Sequence, residues 1–410
     1  MTTSPVTEPV VVDPGPRRTS LRRRATLFLL VIALLLSAGA AGGSYYYSSV
    51  LVVPDHSADQ YYDEVLAVRD AEGVKSVTLT DTRATGRQGT WDIRWATPES
   101  RPGAGAAQVG EILSRGDGRV ERRILSGSAP PVGTLVRVDT DVWGSGNPRT
   151  AFGLNFSEVQ VPTELGNAKA WYVGPPAGTE PDTWVIAVHG HNASYTEALR
   201  MVGPLHRAGL ASLSVSYRND VDGPTSADGL LHLGETEWRD VEAAMRFAQG
   251  NGAKRFVLYG YSMGGAVVEQ LLARSQLASS VVAVVLDSPV VSWTQTLYFQ
   301  AEQRGLPTFL VPLTTTISTW RTGVDFDRFD LVNRPPAVKP ETLLLHGDAD
   351  ESVPVAAARE LAWAAGRLGW PLRYVEMPGA EHVALWNHDR ATYERTVTGF
   401  ITGSLATAGR

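Results

Sequence analysis

The stretch "LYGYSMGGAV", Leu258 to Val267, decides how the chain is read. It sets Ser262 between Gly260 and Gly264 in a Gly-x-Ser-x-Gly frame. Upstream, "RFVLYG" is an apolar run suited to a buried strand. Downstream, "AVVEQLLARSQ" has the spacing of a helix. Strand, sharp turn and helix form the context in which a serine Oγ is lifted above a sheet. Small residues at 260 and 264 let strand and helix approach each other, and the helix N-terminus favours developing negative charge. A tight packing turn uses the same letters, so the reading depends on partners elsewhere in the chain.

A serine hydroxyl is a weak nucleophile until a base takes its proton. His382, in "PGAEH" just after the last strand-like run, is the expected base, and His388 in "WNHDR" is its competitor. The imidazole needs a carboxylate to fix its tautomer and steady its charge. "LLLHGDADESVP" supplies Asp350 as the expected acid, with Asp348 as runner-up, and Asp287 is a weaker third. An oxyanion needs two N–H donors. Met263, directly after the serine, and His191, in the loop after "TWVIAVHG", are expected to give them from their main chains. A metal at His189-x-His191 lacks an accompanying ligand cluster. His189, His206, His232 and His346 read as structural, and neither metal nor cofactor is expected. The chain has no cysteine, which excludes disulfides and thiolate chemistry.

From about Phe156 strands and helices alternate, after an antiparallel pair at "SEVQVP" and "AKAWYVGP". This predicts a mostly parallel sheet with helices on both faces. In such sheets the site lies at the carboxyl ends of the strands, where Ser262, Asp350 and His382 all fall. Their order, after the His191 loop, is Ser…Asp…His, which differs from chymotrypsin- and subtilisin-type chains.

On "VHGHN" (188–192), "GYSMGG" (260–265), "HGDADESVP" (346–354) and "GAEH" (379–382), the chain resembles the α/β-hydrolase superfamily over residues 156–403. The resemblance implies an α/β-hydrolase fold and a serine ester hydrolase working through an acyl-enzyme. Its Gly-x-x-Asp-x-x-Val-Pro pattern supports Asp350 as the acid. An exported body on one N-terminal anchor is similar to the monoacylglycerol- and lysophospholipid-lipase-like branch. Acyltransferases, peptidases and non-catalytic binding proteins share the fold, so the fold alone does not fix the substrate.

The 410 residues allow one large domain or two. A net charge of -6, without a recognisable nucleic-acid motif, gives no hint of a nucleic-acid partner. Residues 1–24 read as a disordered cytoplasmic tail that ends in an arginine cluster. Residues 25–53 carry no charge and are long enough to cross a bilayer. Arginines before and Asp55 after predict a single-pass cell-membrane anchor with the body outside. A cleaved signal ending at Ala38-Gly39-Ala40 is the alternative. Residues 55–155 read as a β-rich membrane-proximal unit, with a short helix at "QYYDEVLAV". Residues 288–339, rich in Trp, Phe and Leu, read as a lid suited to the acyl chain of an ester or lipid substrate, although ordinary helix packing would give the same composition.

Overall fold

The computed structural model describes Thr7 and residues 19–55, 60–71, 73–96, 105–144, 146–179 and 182–408. Most of the expected N-terminal tail lies outside the described residues. Its last part does not. Helix α1 runs Thr19–Val52, so residues 19–24 are helical rather than disordered. The arginines there are compatible with helix, and the apolar run that follows extends it without a breaker. By length and composition α1 is a candidate membrane span or signal sequence.

Six strands follow: β1 (Asp63–Ala71), β2 (Val74–Thr80), β3 (Trp91–Trp95), β4 (Gly105–Gly116), β5 (Arg119–Gly127) and β6 (Leu135–Asp139). They close into an antiparallel barrel in the order β1-β2-β5-β4-β3-β6. The short helix expected at "QYYDEVLAV" is instead the start of β1, paired with β2 and β6. Val65 points into the barrel interior while Glu64 faces out, a period of two that overrides the local helical spacing. Val77, Leu79, Trp91, Ile93, Val109 and Val136 fill the interior with it. Buried Arg122 donates to the main-chain oxygens of Thr85, Arg87, Gly89 and Gly110, and so ties the β2–β3 loop to the wall.

After α2 (Pro148–Phe152), an eight-stranded sheet is built from β7 (Ser157–Thr163), β8 (Gly166–Val173), β9 (Thr183–Val188), β10 (Ala211–Val215), β11 (Arg255–Tyr261), β12 (Val281–Asp287), β13 (Glu341–Gly347) and β14 (Leu372–Met377). Its order is β14-β13-β12-β11-β9-β10-β8-β7. Pairs from β10 through β14 are parallel, and β8 is antiparallel to both of its neighbours. Central strands are apolar on both faces, as a sheet covered on both sides requires. Trp184, Ile186, Phe256 and Leu258 pack one way, against α4 (Trp238–Gly250), α5 (Met263–Arg274) and α8 (Val355–Ala364). Val185, Ala187, Val257 and Tyr259 pack the other way, against α3 (Leu199–Arg207) and α10 (Arg390–Ala408). Between β12 and β13 the chain forms α6 (Trp293–Gln303) and α7 (Val311–Thr322), and the short α9 (Leu385–His388) precedes α10.

Candidate active site

β11 ends at Tyr261 and α5 begins at Met263, so Ser262 alone makes the turn. Its φ of 50° lies in the left-handed region that L side chains avoid. The surrounding contacts hold that strain in place. Ser262 N–H donates to the Asp287 carbonyl at 2.9 Å, and its own carbonyl accepts from Gly265 and Val290. The glycines are steric necessities. A Cβ at 260 would lie 2.6 Å from the Gly264 carbonyl oxygen, and one at 264 would lie 2.2 Å from that of Val188.

Three strand ends converge on this turn. His382, in the loop after β14, brings Nε2 to 2.9 Å from Ser262 Oγ. Its Nδ1 is 2.7 Å from Oδ2 of Asp350, which sits in the loop after β13. The other Asp350 oxygen accepts the N–H groups of Ser352 and Val353, both at 2.8 Å. Burial raises the Asp350 pKa, but His382 and His346 outweigh it and hold the carboxyl well below its usual range. For His382, burial works against the charged ring. The Asp350 carboxylate and its hydrogen bond overcome this, and the pKa is raised above the usual histidine value.

The alternatives take other positions. Asp348 accepts the Gly379 N–H at 2.6 Å and shapes the His382 loop. Asp287 is fully buried and accepts from Tyr393 Oη at 2.5 Å and Ser288 Oγ at 3.0 Å. Ser288 Oγ in turn accepts the N–H of Val383, next to His382. His388 lies in α9, with its ring beside Gly379. His189 faces Asp220 at 3.0 Å, and His191 Nε2 faces the Leu51 carbonyl at 2.8 Å, so the two rings serve separate partners.

Of the two expected oxyanion donors, Met263 is the first residue of α5, whose opening N–H groups have no intrahelical acceptor. The His191 loop is braced by Glu197, which accepts the Gly190 N–H at 2.9 Å. A Cβ on Gly190 would come within 3.1 Å of the Ser262 Cβ, which shows how closely this loop approaches the turn.

Sequence reading missed two contributors. His346 Nε2 lies 3.1 Å from Asp350 Oδ2, so this histidine helps hold the acid. Its i, i+4 spacing to Asp350 was the available signal. The second contributor is α1. Tyr46 and Val50 line a cleft of about 860 Å³, together with Leu297, Leu310, Ser262 and His382. Nothing in an apolar run announces such a contact.

The mostly parallel sheet, the helices on both its faces and the turn at Ser262 together define an α/β-hydrolase fold. The family model described as the prolyl oligopeptidase family matches residues 226–407, a span holding Ser262, Asp350 and His382. A domain of unknown function, DUF8805, matches residues 64–139, which are the barrel within one residue. Among solved structures, the chain is similar to the Pyrococcus furiosus esterase Pf2001, at 20% identity and a TM-score of 0.50, over 63% of this chain and 96% of that one. It also matches Est1E from Butyrivibrio proteoclasticus, at 17% identity and a TM-score of 0.45, over 61% of this chain and 99% of that one. A search of curated proteins found no match. The likeness to Pf2001 is one of fold, and the family match spans the three residues that meet at the Ser262 turn.

Proposed function

We propose that the protein is a membrane-anchored serine hydrolase of carboxylic esters. The observation that carries this reading is His382 bridging Ser262 and Asp350 through its two ring nitrogens, at 2.9 and 2.7 Å. With Nδ1–H donated to Asp350, Nε2 presents a lone pair to the Ser262 hydroxyl. Ser262 Oγ attacks the acyl carbonyl while its proton moves to His382 Nε2. The tetrahedral oxyanion takes hydrogen bonds from the Met263 and His191 N–H groups. Collapse breaks the bond from carbonyl carbon to alkoxy oxygen, and His382 returns the proton to the departing alcohol. Water, deprotonated by His382, then attacks the acyl-enzyme and frees the acid and Ser262. In this reading α1 holds the enzyme at the cell membrane with the body outside.

The prolyl oligopeptidase family match favours a second reading, amide bonds as substrate through the same residues. Two measurements test these readings. A fluorophosphonate probe should label the wild type and not Ser262→Ala, and an unlabelled wild type sinks both. Turnover of p-nitrophenyl esters, with peptide p-nitroanilides cleaved at least a hundredfold more slowly, is expected. The reverse ranking would make it a peptidase.

A further inference from the structure

The outer end of α1 does not hang beside the body; it is built into it. Residues 27–36 of the helix are apolar and exposed, whereas Ser44, Ser48, Leu51 and Val52 are buried. Ser44 and Ser48 are small residues one turn apart, which lets another helix approach closely. That helix is α7, whose Ser318 Oγ lies 2.9 Å from Ser48 Oγ. Arg321 of α7 donates to the hydroxyls of Ser48 and Ser49, and its guanidinium lies 4.8 Å from the Tyr45 ring centroid. The last carbonyls of a helix have no intrahelical partner. Here the body supplies donors: His191 Nε2 to Leu51 and Leu231 N–H to Val52, both at 2.8 Å.

This docking makes α1 a wall of the cleft above Ser262, facing Leu297 of α6 and Leu310 next to α7. A bilayer core takes about 20 helical residues at about 1.5 Å each. Counted from the arginines that end at Arg24, that length is used up near Ser44, where the docked part begins. The cleft therefore opens within a few helix turns of the lipid surface. Phe309 and Trp320, 72% and 80% exposed, project from the helices packed against α1. Exposed aromatics at this level suit the membrane–water interface.

We propose that the outer end of α1 forms part of the substrate site, and that the cleft takes the acyl chain of an amphiphilic ester directly from the lipid surface. The proposal rests on the ester-hydrolase reading and adds the substrate class and its route. The apolar chain lies between α1 and the α6–α7 helices, and the ester carbonyl comes to rest at Ser262.

The test uses the full chain in phosphatidylcholine vesicles, with p-nitrophenyl acetate as the soluble ester and p-nitrophenyl palmitate dissolved in the same vesicles. Val50→Trp narrows the cleft from the α1 side. It is expected to lower kcat/KM for the palmitate ester at least tenfold more than for the acetate. Leu30→Trp, on the exposed apolar part of α1, should leave both values within twofold of wild type. Fluorophosphonate labelling of Val50→Trp reports whether Ser262 remains reactive; if label is lost, Leu297→Trp on the facing wall replaces it with the same expectation. Equal losses on both esters overturn the proposal while leaving the ester-hydrolase reading standing. A wild type that takes no label and cleaves neither ester overturns both.

Discussion

His191 Nε2 donates to the main-chain oxygen of Leu51 across 2.8 Å, joining the loop beside Ser262 to the last turn of the apolar helix. Burial depresses the His191 pKa, so the ring is neutral at pH 7 and carries one proton to give. His191→Ala removes that donor and keeps the main-chain N–H. Losing one such bond costs about 1 kcal/mol, or roughly fivefold in an equilibrium. We expect kcat to fall about fivefold with KM little changed, because the loop proposed to hold the oxyanion loses its brace. A histidine with a depressed folded-state pKa contributes stability that is present above pH 6.5 and lost as pH falls below it. Wild type should therefore lose Tm between pH 6.5 and 5 more steeply than His191→Ala. Parallel melting curves for the two proteins would refute the role of the ring.

In the proposed mechanism His382 acts as a neutral ring, and its pKa is raised by Asp350 against the effect of burial. kcat/KM should rise with pH along an acid limb whose midpoint lies above 6.5. Asp350→Asn removes the strongest of the groups that raise the His382 pKa, leaving burial opposed only by the Asp287 and Glu197 carboxylates, so the limb should move to lower pH. The plateau should drop about 10⁴-fold, since the wrong tautomer then faces Ser262. The stability consequence has the opposite sense. A raised histidine pKa contributes stability that is present below pH 6.5 and lost as pH rises through the folded-state value. A pH–rate profile of both proteins with a soluble ester decides this, and an unmoved limb would assign it to another group.

Gly264 leaves no room for a side chain, with the Val188 carbonyl oxygen 2.2 Å from where a Cβ would sit. The obstacle is main chain and cannot rotate away. Gly264→Ala should cost about 3 kcal/mol or more, at the upper end for overpacked sites. Gly399→Ala, in α10 with nothing near its would-be Cβ, should be neutral or slightly stabilising. Comparing their urea midpoints with wild type checks both expectations.

Local chemistry made the site readable in the sequence, while long-range packing did not. Ser262, Asp350 and His382 stand at strand ends, and their motifs reflect steric and hydrogen-bond demands satisfied within a few residues. The parallel sheet was legible for the same reason, because strands buried on both faces read as unbroken apolar runs. The start of β1 was not, because "QYYDEVLAV" fits both periods and the choice falls to its neighbours β2 and β6. Barrel closure and the docking of Ser48 on α7 depend on residues more than 70 and 260 positions apart in sequence, beyond the reach of any local pattern.

Glu269, inside α5, has both carboxyl oxygens buried without a partner among the described residues. Burial pushes its pKa up to about 8. Between pH 4.5 and 8 the unfolded chain has lost this proton and the folded chain keeps it, so stability falls as pH rises through that window. Glu269→Leu removes both the unpartnered oxygens and the linkage. It should raise Tm by about 5 °C at pH 8 and by less at pH 5. A Tm gain independent of pH would show that the carboxyl group is solvated.

The barrel grips the loop that carries His382. Glu381 accepts from Arg87 at 2.6 Å and from Arg83 at 3.0 Å, and both arginines belong to the β2–β3 loop that Arg122 anchors. Asn387 donates to the Thr90 and Thr140 carbonyls, each at 2.9 Å, and Ala384 packs into the barrel core. Ion pairs as exposed as these contribute little to stability, about 0–1 kcal/mol. Their consequence should instead be positional, since Glu381 immediately precedes His382. Arg83→Ala combined with Arg87→Ala should shift Tm by no more than about 2 °C yet lower kcat about fivefold, a shift of roughly 1 kcal/mol in the barrier. Asn387→Ala removes the Asn387 donor from two half-buried carbonyls, and should cost about 1 kcal/mol of stability as well as activity. Measuring kcat and Tm on the same preparations separates the two effects. If the double arginine variant keeps wild-type kcat, the barrel does not position His382 through Glu381.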